Sequence, residues 1–290
     1  MENIYISESG PEISAAIYGF WRWNITSLTS IKRVEDIVNY NLELGVNAFD
    51  HSDQYSNGQI EQLFGQAIKA KSFKREDIVI SAKAGIKKID NTKEKQFDLS
   101  PAHIRASVDA TLKRLQTDYI DIFLLEQFDP LIDAEETASA LTELILKGKI
   151  RHIGVSNFNV FQHRLLASRL SRPIITNHIE LNVLNTTAID DGRLDFIKQQ
   201  FSKPMAWAPL AGGRVLNGED KKAIKVRKVL SAVGKQYDAN VEQTAVAWLY
   251  KLGALPIIGS PDKKRIKNAA SAYSIKLSNE DWYRIYNATK

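Results

Sequence analysis

One pattern constrains this chain more than any other: a short apolar run followed by a longer amphipathic stretch, repeated eight times along 290 residues. The runs are residues 15–19, 46–50, 78–83, 120–125, 150–156, 174–179, 205–209 and 255–258. The stretches between them carry apolar residues at helical spacing. They predict helices over 31–44, 59–70, 101–115, 134–146, 160–170, 191–200, 220–237, 241–250 and 262–272, and a further outer helix over 279–289. Ser100 and Pro101 suit the N-cap and first position of the third helix. Alternation of this kind places parallel strands under a layer of helices. Near-continuous apolar runs such as Ile120-Asp-Ile-Phe-Leu-Leu125 suit a sheet buried on both faces. A doubly wound sheet holding a dinucleotide would open with a glycine-rich turn after its first strand. Here Gly19 is followed by Phe20, Trp21, Arg22 and Trp23, and no GxGxxG occurs. The expectation is therefore an α/β (β/α)8 TIM barrel, one domain over 1–290, with a short N-terminal hairpin in residues 1–11 and an extra C-terminal helix.

Composition narrows the function classes. The chain has no cysteine, which excludes a disulfide scaffold, a thiolate nucleophile and thiolate metal ligation. No apolar stretch has the length of a membrane span, and Met1 is followed by Glu2 rather than by a basic-then-apolar leader. These features, with 25% charged residues, predict a soluble, cytoplasmic protein. The net charge of +5 is a mild excess. The cluster Lys221, Lys222, Lys225, Arg227 and Lys228 is accompanied by no nucleic-acid-binding motif, so no nucleic-acid or membrane partner is expected.

Barrel active sites lie at the C-terminal ends of the strands, which nominates Trp21, Trp23, Asp50, His51, Asp53, Tyr55, Lys83, Glu126, Ser156, Asn157, His178, Glu180, Trp207, Gly259 and Ser260. A free phenol, with a pKa of about 10, is a slow acid at neutral pH, and an adjacent ammonium lowers that value. Tyr55 with Lys83 beside it, and Asp50 keeping Lys83 charged, would form a proton donor. The same residues also read as a neutralised lysine under an aromatic lid. His51 with Asp53, and His178 with Glu180, could instead bring ligands to a metal, but no further histidine arrives from the fourth or eighth strand and no metal is expected. After strands seven and eight, APLAGGR and PIIGSPDKKR offer flexible backbone and a helix start, with Ser260 as N-cap and Pro261 at the first position. Lys263, Lys264 and Arg265 in that first turn oppose the helix dipole unless an anion is near, so the segment reads either as a phosphate site or as a solvated basic face.

The stretches LGVNAFDHSDQYSNGQIEQLFGQAI, VISAKAG, SVDATLKRLQTDYIDIFLL, GKIRHIGVSNF, NHIELN, MAWAPLAGGR and PIIGSPDKKRI together resemble the aldo-keto reductases, in particular a bacterial branch with DHxDxY and PIIGS motifs. The resemblance implies NADPH bound across the barrel mouth and reduction of small aldehydes or ketones by hydride transfer. It implies Tyr55 as proton donor, Lys83 and Asp50 as its partners, and Ser156 and Asn157 on the carboxamide. Trp207 would stack on the nicotinamide; Leu210, Gly212 and Arg214 would lie near the pyrophosphate; Ser260 and Arg265 would contact the 2′-phosphate. Monomers are usual in the family. Three positions depart from it. Glu126 replaces a catalytic histidine, His178 replaces a glutamine that holds the carboxamide, and Gly259 stands where many relatives carry a lysine.

An ionised glutamate beside a forming alkoxide opposes reduction, whereas a protonated one donates a hydrogen bond. Steroid 5β-reductases in the family carry glutamate there and reduce a conjugated carbon–carbon double bond. Glu126 thus predicts weakened simple carbonyl reduction and tolerance of enones. The alternative is a catalytically weak NADPH-binding protein with a redox-sensing or interaction role. Substrate choice is expected to rest on the loops after strands one, four and seven and on the tail with Trp282, Tyr283 and Tyr286.

Overall fold

A computed structural model describes residues 1–23, 29–88 and 95–290. Eight parallel strands close into a barrel: β3 (Ile17–Gly19), β4 (Ala48–Asp50), β5 (Val79–Ala84), β8 (Ile120–Glu126), β9 (Ile150–Ser156), β10 (Ile174–Glu180), β11 (Met205–Trp207) and β12 (Leu255–Ile258), the last pairing back onto β3. The connecting helices are α1 (Ile31–Glu43), α2 (Gln59–Lys69), α3 (Pro101–Leu115), α4 (Ala134–Leu146), α5 (Val160–Ala167), α6 (Thr187–Asp190), α7 (Arg193–Gln199), α8 (Arg214–Asn217), α9 (Lys221–Gly234), α10 (Val241–Lys251) and α11 (Lys263–Ser271), followed by α12 (Asn279–Thr289). Among the described residues no helix is long and apolar enough to cross a membrane.

The predicted barrel is therefore the observed one, and the burial of β8 explains why its sequence is apolar throughout. Ile122 and Leu124 join the barrel interior, while Phe123 and Leu125 pack outward with Ile104, Val108 and Leu141 of the helices. The N-terminal hairpin, β1 (Asn3–Tyr5) with β2 (Glu12–Ser14), closes the N-terminal end: Ile6 and Ile13 pack onto Ile17, Ile122, Ile175 and Leu255. Its return strand lies beyond residue 11, because Gly10 and Pro11 belong to the turn and its approach; Gly10 N donates to Ser7 O.

Other boundaries also differ from expectation. The third βα loop contains a second hairpin, β6 (Ile86–Lys88) with β7 (Lys95–Phe97), in a stretch whose lysines and acidic residues read as irregular. The seventh strand ends at Trp207, since Ala208 takes a left-handed φ of 49° that no strand continues through. Ser100 caps α3 as expected, accepting from His103 N at 3.3 Å, and Pro101 follows it. Ser260 does not cap α11: Asp262 does, accepting from Lys264 N at 2.8 Å, while Ser260 Oγ accepts from Asp262 N.

Candidate active site

Strand register brings the candidate side chains level at the C-terminal rim. Asp50 stands between Gly19 and Ser81 across three strands, and Glu126, Ser156 and His178 are register partners across β8, β9 and β10. Asp50 and Lys83 are almost fully buried (1% and 2% exposed) and form a two-pronged ion pair, with Lys83 Nζ at 2.7 Å from Oδ2 and 2.9 Å from Oδ1. Nζ also donates to His51 O at 3.2 Å, and Ser81 donates to Asp50 Oδ1 at 2.9 Å. Burial works against both charges, yet the pair wins. Against that opposing burial, Lys83 and Ser81 hold the aspartate below its ordinary range, and Asp50 holds the ammonium above its own.

Tyr55, on the turn before α2, donates to Asp50 Oδ2 at 3.2 Å, and Lys83 Nζ lies 4.8 Å from its ring centroid. Lys83 pulls the Tyr55 pKa down, as expected, but is outweighed. Burial and the Asp50 carboxylate push the phenol up, and Lys83, already neutralised by Asp50, offsets this only in part. Tyr55 therefore stands protonated. Its bond to Asp50 is long for an O–H donor, so the proton is easily redirected.

Glu126 faces this group from the end of β8. Burial raises its pKa, as do Asp53 and Asp50, while Lys83 and a hydrogen bond from Ser52 pull it down; the net shift is upward. Ser52 Oγ donates to Oε2 at 3.0 Å. His51 takes no part in a metal site. Its ring is fully buried, stacked on Phe20 at 4.7 Å and edge-on to Phe64 at 4.5 Å, and burial lowers its pKa to about 3. Among the described residues no group of three or more His, Cys, Asp or Glu could hold a metal ion.

Ser156, Asn157, His178 and Trp207 form the opposite side. Trp207 Nε1 donates to Asn157 Oδ1 at 3.0 Å, which fixes the indole plane, and Asn157 Nδ2 donates to Ser156 Oγ at 3.3 Å. His178 Nδ1 lies 3.2 Å from Ser156 Oγ, whereas the buried Nε2 has no hydrogen-bond partner. Burial lowers the His178 pKa to about 3, so the ring is neutral and Nε2 has one bond left to make in either tautomer.

A cleft begins at Ala208, next to Trp207 in the chain, and reaches Arg265 of α11; it is lined by Leu210, Gly212, Gly213, Gly259 and Ser260, with Trp21, Arg22 and Glu242. Gly212 and Gly213 adopt left-handed φ of 70° and 103°, which glycine accepts without strain. A Cβ on Gly259 would meet Trp21 Nε1 at 2.7 Å, so the missing lysine is replaced by an indole lying across the backbone. Arg22 stacks on that indole, 4.9 Å from its centroid. Arg214 is not in the cleft; its guanidinium is held by Asp220 at 3.0 Å. Arg265 lines the cleft but is held by Glu242 at 2.9 Å, and Asn268 bonds the other oxygen of that carboxylate.

Sequence reasoning missed Ser52, Arg22 and Glu242. Glu242 lies on a helix distant in sequence from every motif, and Ser52 becomes legible only once Glu126 is known to face it. Two other residues that the sequence singled out make fold contacts. Arg227 of the basic helix caps the carbonyls of Leu216 and Gly218 at 3.0 Å each, so it serves the fold. Trp282 of the tail stacks on Trp248 at 5.1 Å and is committed to packing α12.

The family model described as "Aldo/keto reductase family" matches residues 16–290. The chain is 36% identical over 302 residues to "Uncharacterized oxidoreductase YcsN" of Bacillus subtilis, covering 100% of this chain and 98% of that protein. It is 33% identical over 292 residues to "6-dehydroglucose reductase" of Agrobacterium fabrum, covering 99% and 97%. Among solved structures, the thermostable aldo-keto reductase Tm1743, crystallised with the inhibitor epalrestat, superposes with a TM-score of 0.86 at 27% identity, covering 99% of this chain and 100% of that one.

Proposed function

This chain belongs to the aldo/keto reductase family and is an oxidoreductase, and from that premise we propose that it reduces small carbonyl compounds with NADPH, with Tyr55 as proton donor. The observation that carries the reading is the buried Asp50–Lys83 pair with a protonated Tyr55 against it; on the same rim, after β11 and β12, a cleft is lined by Ser260 and Arg265. The residues present fit a nicotinamide cofactor. His178 Nε2 is a buried, unpartnered nitrogen suited to a carboxamide, and the glycine backbone at 212 and 213 leaves room for a pyrophosphate. When bound, the cofactor supplies the hydride.

The chain's own residues do the rest. Trp207, pinned by Asn157, offers a flat face to a ring. Tyr55 turns its proton from Asp50 to the carbonyl oxygen, and the phenolate it leaves faces the Lys83 ammonium. Lys83 thus stabilises charge that exists only after transfer begins, where electrostatic help counts toward rate. Glu126, its pKa raised by burial and by Asp53 and Asp50, donates a hydrogen bond to the same oxygen while it is protonated. That arrangement also polarises an enone, so activated acceptors fall within the proposed range. The name of the Agrobacterium relative adds sugar-derived carbonyl compounds to the substrates to be tried.

Ser260 and Arg265 favour NADPH over NADH, and the Glu242 carboxylate on Arg265 and the absence of a lysine at Gly259 moderate that preference. Fluorescence titration with NADPH and then NADH at one salt concentration tests the proposal. Tighter binding of NADPH is expected. Equal binding would remove the 2′-phosphate role of Ser260 and Arg265, and binding of neither would overturn the reductase reading.

A further inference from the structure

Ser52 stands at the first of the two variable positions of the DHxDxY pattern, and its side chain is fully buried. Its Oγ accepts from Gln54 N at 3.2 Å and donates to Glu126 Oε2 at 3.0 Å. A hydroxyl carries one proton. The Gln54 N–H takes one of the two lone pairs, and the hydroxyl proton is directed at Glu126. The turn itself is anchored, because Gln54 Nε2 donates to Ile86 O at 2.9 Å and to Asp53 Oδ1 at 3.0 Å. Ser52 is thus a fixed donor aimed at one named oxygen of Glu126.

We propose that Ser52 is a positioning residue that orients the Glu126 carboxyl, holding Oε2 as acceptor so that the acidic proton sits on Oε1 and points to the substrate oxygen. This rests on the reading of Glu126 as a neutral donor. In a carboxylic acid the carbonyl oxygen is the better acceptor, so a donor fixed on Oε2 selects the form protonated on Oε1. The serine and the glutamate act as one unit: the glutamate brings the proton and the serine aims it.

The direction of one effect separates aiming from charge. The Ser52 bond favours the carboxylate and pulls the Glu126 pKa down. Removing it therefore leaves more of the protonated form, so any loss of rate reports orientation. The charged and titratable groups facing Glu126 are Lys83 on β5, Asp50 on β4, and Asp53 and Tyr55 on the turn; all of them remain in a Ser52 variant.

The test is steady-state NADPH oxidation with a carbonyl substrate by wild type, Ser52→Ala, Glu126→Ala and the double variant, with kcat followed against pH and NADPH affinity measured alongside. Ser52→Ala is expected to lower plateau kcat about tenfold with NADPH affinity unchanged. Its alkaline limb should move to higher pH, and its effect should vanish in the Glu126→Ala background. If Glu126→Ala leaves kcat unchanged, the reading of Glu126 falls and this assignment with it. If Glu126→Ala lowers kcat but Ser52→Ala does not, or lowers it equally without Glu126, the Ser52 assignment alone is overturned. Ser52→Cys, a near-isostere with a weaker donor, gives the same comparison should Ser52→Ala not fold.

Discussion

A carboxyl group placed where an oxygen becomes negative helps only while it keeps its proton. Burial, with Asp53 and Asp50, moves Glu126 toward that condition, against the pull of Lys83 and Ser52. Its contribution is therefore present below its raised pKa and lost as pH climbs through it. A histidine there donates without that liability, so Glu126→His is expected to raise kcat/KM for an aldehyde about tenfold and to lower it for a matched enone. Parallel assays on the two substrates check this, and no gain on the aldehyde would show that Glu126 is no handicap to simple carbonyls. The chemistry at this scale was half legible in the sequence. The types and spacing of Asp50, Tyr55 and Lys83 at strand ends suggested an acid and its partners. The balance among them did not show, because it depends on burial: desolvation of the phenol, with the Asp50 carboxylate beside it, outweighs the pull of Lys83, so Tyr55 moves up rather than down.

Elements were legible where periodicity is strong and obscure where it is short. Thirteen- to fifteen-residue helices such as α3 and α4 carry their caps in sequence, Ser100 with Pro101 and Asp133. The three-residue strands β6 and β7 offer no period at all and are rich in lysine, so their hairpin was invisible. Close helix packing was equally hidden. Gly65 on α2 meets the end of α3 so tightly that an added Cβ would lie 2.1 Å from Arg114 O. Backbone cannot yield as a side-chain tip does, so Gly65→Ala should cost about 3 kcal/mol of stability, read as a lower urea midpoint at unchanged m-value. A variant of wild-type stability would mean that α2 and α3 separate freely, and with them the turn that carries Tyr55.

For the whole molecule, the barrel collects at one rim residues far apart in the chain: Asp50, Tyr55 and Lys83 from β4, its following turn and β5, Glu126 from β8, and Ser156, Asn157, His178 and Trp207 from β9 to β11. The eightfold repeat alone predicted that convergence, since a closed parallel barrel exposes all its strand ends on one side. The cleft toward α11 was less legible, because Arg22 on the loop after β3 and Glu242 on α10 reach it from separate elements. The measurement that tests the account most directly is carbonyl-dependent NADPH oxidation by wild type and Tyr55→Phe, with NADPH affinity determined for both. Loss of the phenolic proton should lower kcat at least about a hundredfold and leave NADPH affinity intact. A Tyr55→Phe variant that turns over at the wild-type rate would contradict the account.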